Sequence, residues 1–266
     1  MSRSVISEFS DRGRLYCGYD DSEQEWLATG RYRFALNFIN EGDTCLDAAC
    51  GSGYGSELIS RKAKEVIALD VDEHALSFAE SHHRNGKISF HKADLTQPLA
   101  LPDACCEVIV SVETIEHIVD HDAFLREFRR VLKPGGRLIL TTVDHEVYSE
   151  RGGIRNKFHV GELTKKELHA LISRYFTLEE TYGQIRHVPL SWRKRLSQKV
   201  WLSFISVVGV LDVLRLRRRV LKRFRLNSAV DAVNRGLSPM KITAIEKTDV
   251  CDTNDYYQLI VVARKV

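Results

Sequence analysis

The residues best suited to chemistry lie in one short stretch, VETIEHI, which follows an apolar run near the middle of the chain. If a helical turn begins at Glu113, then Glu113, Glu116 and His117 are spaced i, i+3 and i+4 and share one face. Two carboxylates and one imidazole are a suitable ligand set for Mg²⁺, Mn²⁺ or Fe²⁺. The alternative is a general-base or structural role for His117 without a metal. The stretch therefore indicates either metal-assisted chemistry or proton transfer at one small site.

A fourth candidate ligand comes from a loop further along the chain. His159 lies in NKFHVGEL, after the fifth predicted strand, and this loop should return over the same edge of the sheet. Asp120, His121 and Asp122 have a simpler explanation, because carboxylates near a helix N-terminus are favoured by the helix dipole. We therefore assign those three residues to the following helix and not to the site.

A second chemical pattern, CLDAACGSGYGS, places an acid at the end of a predicted strand and a Gly-x-Gly-x-Gly turn before a helix. Glycine permits positive φ and close approach of a ligand, and a helix N-terminus offers free N–H donors. The spacing differs from the G-x-G-x-x-G dinucleotide fingerprint. Asp47, directly before the glycines, would repel a phosphate, so the pattern favours a nucleotide-like ligand with a positive group. The alternative is a tight strand-to-helix connection without a ligand.

Two further acids narrow the choice of ligand. Asp70 ends the second predicted strand, where a carboxylate would hydrogen-bond both ribose hydroxyls of an adenosine. Asp94 follows the third predicted strand and could accept from the exocyclic amine of adenine, with Leu95 against the ring. Together these residues indicate an adenosine that carries a positive group.

The elements that must position these residues alternate between short apolar and longer amphipathic segments from Asp43 to about Thr142. This alternation is typical of βα units that build a parallel sheet. Strands are predicted at 44–48, 65–70, 87–92, 107–112 and 137–142, and helices at 54–62, 73–84 and 122–132. We therefore predict an α/β fold with a doubly wound, mostly parallel, seven-stranded sheet and with ligands at the carboxyl ends of its strands.

The segments on either side complete the predicted organisation. The predicted parts are an N-terminal helical cap (1–42), a core (43–186 and 241–266) and a basic helical insert before the last strand (187–240). The predicted elements outside the alternating region are a helix packing on or lidding the carboxyl edge (22–40), a helix at 164–174 and strands at 176–182 and 256–263.

Composition and cysteine usage indicate a soluble intracellular protein. The chain is 44% hydrophobic, and its six cysteines form no CxxC pair, which argues against a zinc ribbon or a disulfide scaffold. The N-terminus lacks the apolar run of a secretion signal, and no stretch reaches the roughly 20 apolar residues of a membrane span. We expect reduced thiols and a cytoplasmic location.

The positive charge of the chain is concentrated in one segment. Residues 193–225 contain eleven Lys or Arg and the single acid Asp212, whereas the whole chain has a net charge of only +3. The apolar run within it, 200–214, is too short to span a bilayer but could lie in the interface at the inner face of the membrane, where anionic lipid attracts the flanking cations. The alternative is a helix that covers the substrate cleft or a homodimer contact. Nucleic-acid binding is disfavoured because aromatic residues are sparse there.

Five phrases, LDAACGSGYG, ALDVD, KADL, VSVETIEHI and RVLKPGGRLILTT, resemble in this order the motif series of class I S-adenosylmethionine-dependent methyltransferases. The resemblance implies that the protein is a methyltransferase with S-adenosylmethionine as its cofactor. It implies the following contacts: the methionine part with Asp47, Gly51 and Gly53, the ribose with Asp70 and the adjacent Val71, the adenine with Asp94 and Leu95, and the sulfonium with Ser111.

Other phrases resemble particular groups within that class. ExxEH followed by FHxxE resembles metal-dependent small-RNA 3′-terminal 2′-O-methyltransferases, in which two Glu and two His hold an ion that grips a vicinal diol. This resemblance implies Mg²⁺ or Mn²⁺ held by Glu113, Glu116, His117 and His159. Ubiquinone-biosynthesis O-methyltransferases carry related acids and a His.

The most extended resemblance, through RYRFAL, NKFHVGELTKKELHALISRYF and ETYGQ, is to bacterial methyltransferases of surface-polysaccharide and O-antigen clusters. Those relatives commonly have a His where Gly30 stands and a Pro where Lys157 stands, so no role is carried over for that His. We expect O-methylation of a saccharide or a surface-glycan or glycolipid intermediate. The alternatives are a quinone precursor, another small diol or an RNA 3′ end as acceptor, and a membrane-associated scaffold that binds the cofactor without turnover.

Overall fold

The computed structural model describes residues 23–151, 156–184, 245–248 and 258–266. Within these ranges the strands are β1 (Thr44–Ala48), β2 (Glu65–Asp70), β3 (Ile88–Lys92), β4 (Cys106–Val112), β5 (Leu132–Val143), β6 (Thr177–Gln184), β7 (Ile245–Thr248) and β8 (Gln258–Arg264). The helices are α1 (Glu23–Ala35), α2 (Tyr54–Ser60), α3 (Glu73–His83), α4 (His121–Val131) and α5 (Lys165–Ile172).

The described strands form a single sheet in the order β3-β2-β1-β4-β5-β8-β6-β7. The first five of these run parallel, whereas β8 lies antiparallel between β5 and β6. This arrangement confirms the predicted doubly wound fold. The sheet has eight strands and not seven, because β7 adds an antiparallel edge strand to β6.

The helix starts follow from their capping residues. The side chain of Asp72 accepts from the backbone N–H groups of His74 and Ala75 at the start of α3, and Asp120 accepts from the N–H of Ala123 at the start of α4. The assignment of Asp120 to the following helix is therefore confirmed. A capping box between Thr164 and Glu167 begins α5.

β5 begins earlier than predicted. Lys133-Pro134-Gly135-Gly136 indicates a breaker after α4, yet β5 starts at Leu132 and continues through these residues. The pairing with β4 is irregular at this point, and Gly135 has φ +76°. A side chain at Gly136 would lie 2.7 Å from the carbonyl oxygen of Glu107, so glycine lets the two strands approach closely.

Apolar side chains fill both faces of the sheet. One cluster lies under α4 and α5 and includes Phe124, Phe128 and Leu168, and the other lies under α1, α2 and α3 and includes Ile59 and Leu76. Cys45, Cys50 and Cys106 are buried and Cys105 is half-buried, and none of these four described cysteines forms a disulfide. Cys17 and Cys251 lie outside the described residues.

All described residues belong to one compact unit. The predicted insert at 187–240, with its basic segment 193–225, lies outside the described residues. In the described part of the chain, no helix combines the length and the apolar character that crossing a membrane requires.

Candidate active site

Asp47 forms the buried floor of the carboxyl edge of the sheet. Its carboxylate accepts hydrogen bonds from the Tyr32 hydroxyl at 3.0 Å and from the Ser56 hydroxyl at 2.6 Å. Burial raises the pKa of Asp47 to about 7, although the two hydrogen bonds act to lower it. Burial and the neighbouring Asp47 also hold the pKa of Tyr32 well above its usual value. Asp47 is therefore tied to both α1 and α2.

The three glycines of the turn after β1 serve different purposes. Gly51 has φ +54°, and no atom lies within 4 Å of the position that its Cβ would take, so a ligand can approach the backbone there. A Cβ on Gly53 would lie 2.6 Å from the side chain of Ala79 on α3, and one on Gly55 would lie 2.2 Å from the Tyr32 ring. Gly53 also has φ +85°, so conformation and packing both account for the second glycine, and packing accounts for the third.

The other predicted cofactor residues lie at the ends of β2 and β3. Asp70 is buried and accepts from the N–H of Gly51 at 2.8 Å, which joins the ends of β1 and β2. Val71, next to it, is 55% exposed and offers apolar surface. Asp94 is exposed, and hydrogen bonds from Thr96 lower its pKa. Leu95 packs in the core and is 8% exposed, so its side chain leaves little surface for an adenine ring.

Ser111 lies near the end of β4 and is fully buried, yet its Oγ has no hydrogen-bond partner among the described residues. Buried polar atoms are rarely left unpaired, so this hydroxyl is available to a ligand at the carboxyl edge.

The expectation that Glu113, Glu116 and His117 share one helical face is wrong. β4 ends at Val112, Glu113 adopts φ +52°, and only a three-residue 3₁₀ turn follows. Glu113 is not part of the group of donor atoms that Glu116 and His117 form with His159. Its carboxylate instead accepts from Arg31 and from Gln258, each at 2.6 Å.

Three of the four predicted metal ligands nevertheless come together. Donor atoms of Glu116, His117 and His159 all lie within 4.8 Å of one another. Of the residues that the structure describes, these three form the one group of His, Cys, Asp and Glu side chains that could hold a metal ion. The two imidazole rings are nearly perpendicular, with their centroids 4.9 Å apart.

Both imidazoles have one nitrogen already engaged. Nδ1 of His117 lies 2.9 Å from the carbonyl oxygen of Phe158, and Nδ1 of His159 lies 2.6 Å from Oε1 of Glu162. Because a carbonyl or carboxylate oxygen accepts, we assign the proton to Nδ1 in both rings. With the proton on Nδ1, the lone pair of an uncharged imidazole is on Nε2, which is the arrangement that metal-binding histidines commonly show.

Glu162 is a residue of the site that we did not predict. Besides His159, it accepts from His145 at 2.9 Å and from Ser149 at 2.5 Å. Burial acts to raise the pKa of Glu162, but the hydrogen bonds from Ser149, His145 and His159 outweigh it, so the pKa is lowered. The signal in the sequence was the i, i+3 spacing of the FHxxE phrase.

Glu116 is the one acid in this group of three residues, and its side chain is buried, at 1% exposure. Its Oε2 accepts from the Thr142 hydroxyl at 3.0 Å, whereas its Oε1 has no partner among the described residues. Burial and the neighbouring charge of Glu113 raise the pKa of Glu116 to about 8. Such a carboxylate is satisfied either by a proton or by a cation.

The loop that carries His159 is held by its backbone. The N–H groups of Val160 and Gly161 both donate to the carbonyl oxygen of Glu116, at 2.9 and 3.0 Å. A Cβ on Gly161 would lie 2.5 Å from both the Ile118 carbonyl oxygen and Nε2 of His121. Glycine at 161 therefore allows the close approach that brings His159 to Glu116.

α1 is fastened over the carboxyl edge by two consecutive residues that we did not single out. Arg31, 2% exposed, donates to Gln184 at 2.9 Å as well as to Glu113, and Tyr32 donates to Asp47. The structure thus places α1 where the sequence predicts a helix packing on this edge. The available signal was the RYRF phrase.

Comparison with protein families adds to this geometry. Residues 46–140 match the family described as "Methyltransferase domain", and this segment contains the glycine turn, the buried acids Asp47, Asp70 and Glu116, and the 3₁₀ turn. This part of the chain is therefore similar to a methyltransferase domain. Its fold recurs in a solved S-adenosylmethionine-dependent methyltransferase of Thermotoga maritima, with a TM-score of 0.58 and 15% identity, over 91% of this chain and 89% of that one.

The names of curated relatives agree with this family match. A Mycolicibacterium smegmatis protein named "Probable S-adenosylmethionine-dependent methyltransferase" is 37% identical over 144 residues, which are 53% of this chain and 55% of the relative. A ubiquinone biosynthesis O-methyltransferase of Cereibacter sphaeroides is 29% identical over 173 residues, 60% of this chain and 70% of the relative. The chain spans about half the length of the first curated relatives that it matches.

Proposed function

We propose that this protein is an S-adenosylmethionine-dependent O-methyltransferase whose acceptor carries two neighbouring hydroxyls. The observation that carries the proposal is the buried Oε1 of Glu116, which lacks a partner among the described residues and belongs to a carboxylate grouped with the imidazoles of His117 and His159. An acid and two imidazoles so placed can bind a cation or take a proton from an alcohol.

The cofactor site that we propose lies between β1 and β2. S-adenosylmethionine supplies the sulfonium methyl group that is transferred. The open side of Gly51 supports approach of its methionine part, and Asp47 beneath the turn favours its positive charge. Asp70 would accept from the ribose hydroxyls, and the unpaired hydroxyl of Ser111 would donate near the reacting end.

The ligands that we propose for a divalent cation are Glu116, His117 and His159, without Glu113. One carboxylate and two imidazoles suit Mn²⁺ better than Mg²⁺, which prefers oxygen ligands. The cation would acidify an acceptor hydroxyl and orient the pair of oxygens. Glu162 would keep His159 in the required tautomer. If no ion binds, Glu116 is the candidate general base.

For the acceptor we propose a saccharide or a glycan or glycolipid intermediate, on the resemblance to glycan-cluster enzymes. A catechol-like quinone precursor is the second candidate, supported by the 173-residue match to a ubiquinone biosynthesis O-methyltransferase. An RNA 3′ end would offer the same pair of hydroxyls. A cytoplasmic location, a membrane contact through 193–225 and a homodimer also remain proposals.

The experiment is methyl transfer from labelled S-adenosylmethionine to a panel of acceptors. The panel contains a glycoside with vicinal hydroxyls, its deoxy analogue with one hydroxyl, catechol and an RNA oligonucleotide, each with Mn²⁺ and with chelator. We expect label on oxygen only in acceptors with two neighbouring hydroxyls. Transfer to nitrogen would contradict the O-methylation. Cofactor binding without turnover on cell extracts would favour the scaffold.

Variants of the two histidines test cation binding independently of methyl transfer. His117→Ala and His159→Ala should abolish Mn²⁺ binding and turnover while cofactor affinity is kept, because neither His lies at the β1–β2 edge. The matched control is His74→Gln, an exposed histidine on α3. Full turnover in chelator, or in both His variants, would refute the cation and leave the methyl transfer standing.

A further inference from the structure

A cavity lies at the edge of the sheet opposite the candidate active site, where β4 and β5 begin and β8 ends. Its volume is about 590 Å³, which lies within the range of small-molecule sites. The charged side chains that line it are five cations and one acid: Arg126, Arg129, Arg130, Arg174, Lys265 and Asp103. None of them belongs to the methyl-transfer site.

Two of the five cations are already neutralised. Arg130 forms ion pairs with Asp103 and Glu127, and Arg174 lies 3.0 Å from the carboxylate of Asp122. Arg130 also donates to the carbonyl oxygens of residues 99 and 101, which fixes its guanidinium to the wall of the cavity.

The other three cations, Arg126, Arg129 and Lys265, form no ion pair within 4 Å with any residue that the structure describes. The charge of Arg126 does help to lower the pKa of Asp122, which Arg174 already neutralises. Nε of Arg129 donates to the carbonyl oxygen of Tyr175 at 3.0 Å, and Nζ of Lys265 donates to that of Leu132 at 2.6 Å. Both side chains are thus held in place by neutral oxygens. Burial and the nearby charge of Arg129 lower the pKa of Lys265, although Asp103 acts to raise it.

We infer that this cavity binds a soluble molecule through a phosphate or pyrophosphate group. Guanidinium groups present paired N–H donors that match phosphate oxygens, and a multiply charged anion would balance the unpaired cations. A ligand with a single carboxylate would supply one negative charge, which is too few to balance the three positive charges of Arg126, Arg129 and Lys265. Because the cavity lies across the sheet from α1 and Glu116, a bound anion would leave the methyl-transfer site open.

The test is titration calorimetry of the full chain with inorganic pyrophosphate at low ionic strength. We expect saturable binding that is weakened at least tenfold in the double variant Arg126→Gln/Arg129→Gln. The control is Arg61→Gln/Lys64→Gln, which removes the same charge from exposed positions near the end of α2 and should bind within twofold of wild type. Unfolding temperature checks that the variants fold.

Several results would overturn the inference. These are an absence of saturable binding up to 10 mM, equal weakening in both double variants, or binding to phosphatidic-acid vesicles without binding of free pyrophosphate. A second measurement uses only the wild type: pyrophosphate should shift the backbone amide resonances of residues 126–130 and 265. Shifts confined to other regions would also refute the site.

Discussion

Glu162 contacts none of the atoms that would react, yet it accepts hydrogen bonds from three side chains of the loop after β5. A carboxylate behind a metal-binding histidine fixes the tautomer and the direction of the ring. Its contribution should therefore be visible in ion binding and absent from cofactor binding.

We expect Glu162→Gln to lower Mn²⁺ affinity by about 10- to 100-fold, since an amide oxygen replaces the charged acceptor of the His159 proton. Titration of Mn²⁺ by electron paramagnetic resonance measures the change, and S-adenosylhomocysteine affinity should stay constant. The control is Glu146→Gln, an exposed acid close to this loop. Equal Mn²⁺ affinity in wild type and Glu162→Gln would show that Glu162 does not position His159.

Asp47 should make stability depend on pH. Its pKa is raised by burial from 3.8 to about 7, so the folded protein holds this proton more tightly than the unfolded chain. The free energy of unfolding should therefore fall as the pH rises from about 4 to about 7. The loss is on the order of a few kcal/mol, since one pKa unit corresponds to about 1.4 kcal/mol.

We expect Asp47→Asn to remove this loss, so that the variant gains stability relative to wild type across the same pH window. Urea unfolding without cofactor at pH 4.5, 6 and 7.5 measures the difference, with the exposed Glu41→Gln as control. If the free energy of unfolding changes with pH in the same way in wild type and in Asp47→Asn, Asp47 is not the group that causes the loss of stability.

Residue types and spacing predicted which acids and histidines gather at the carboxyl edge, but not every side-chain direction. Glu113 was misplaced because its direction depends on one backbone angle, φ +52°, and on the buried Arg31, a partner 82 positions away. Glu162 was missed because its role comes from two donors, His145 and Ser149, that only the folded loop brings to it.

At the scale of elements, the loop around His159 is positioned by main-chain hydrogen bonds to the 3₁₀ turn after β4. We expect Gly161→Ala to lower turnover and Mn²⁺ affinity at least tenfold, because its Cβ would lie 2.5 Å from the Ile118 carbonyl oxygen. Cofactor affinity should change little. Single-turnover methylation and Mn²⁺ titration measure these effects.

The matched control for that variant is Gly42→Ala, since no atom lies within 4 Å of the position of its Cβ. Its stability should stay within about 0.5 kcal/mol of wild type. Wild-type turnover in Gly161→Ala would show that the loop tolerates displacement and that His159 is not needed at its observed position.

Helices and strands of the core were predicted well where the sequence carries local signals. β1 and β2 have the predicted bounds, and α3 and α4 begin within a residue of their predicted starts because Asp72 and Asp120 cap them. The start of β5 was not predicted, because a Pro-Gly-Gly run ends a helix whether a loop or a strand comes next. Here the segment is a strand because it pairs with β4, and that pairing is not visible in the local sequence.

For the molecule as a whole, a ligand that binds only the folded state stabilises it by mass action. S-adenosylhomocysteine at about 100 times its Kd should raise the free energy of unfolding by about 2.7 kcal/mol. At the same concentration we expect a much smaller gain in Asp70→Asn, because the residue loses charge at the proposed ribose contact. Urea unfolding with and without the ligand tests this.

The control for that prediction is Asp103→Asn, an exposed acid at the opposite edge of the sheet. It should keep the full gain in unfolding free energy. A gain in Asp70→Asn equal to that of wild type would place the cofactor elsewhere on the domain.

The position of β8 also has a consequence for synthesis of the chain. β5 ends at Val143, but the strand that pairs with its free side begins at Gln258. At roughly 5 to 20 residues per second, the ribosome leaves that side of β5 without its final partner for on the order of ten seconds. An unpaired edge of mostly buried residues, among them the β-branched Ile139 and Val143, is a template for aggregation during that interval. Production of the soluble protein should therefore depend on chaperone supply and on translation speed between residues 143 and 264.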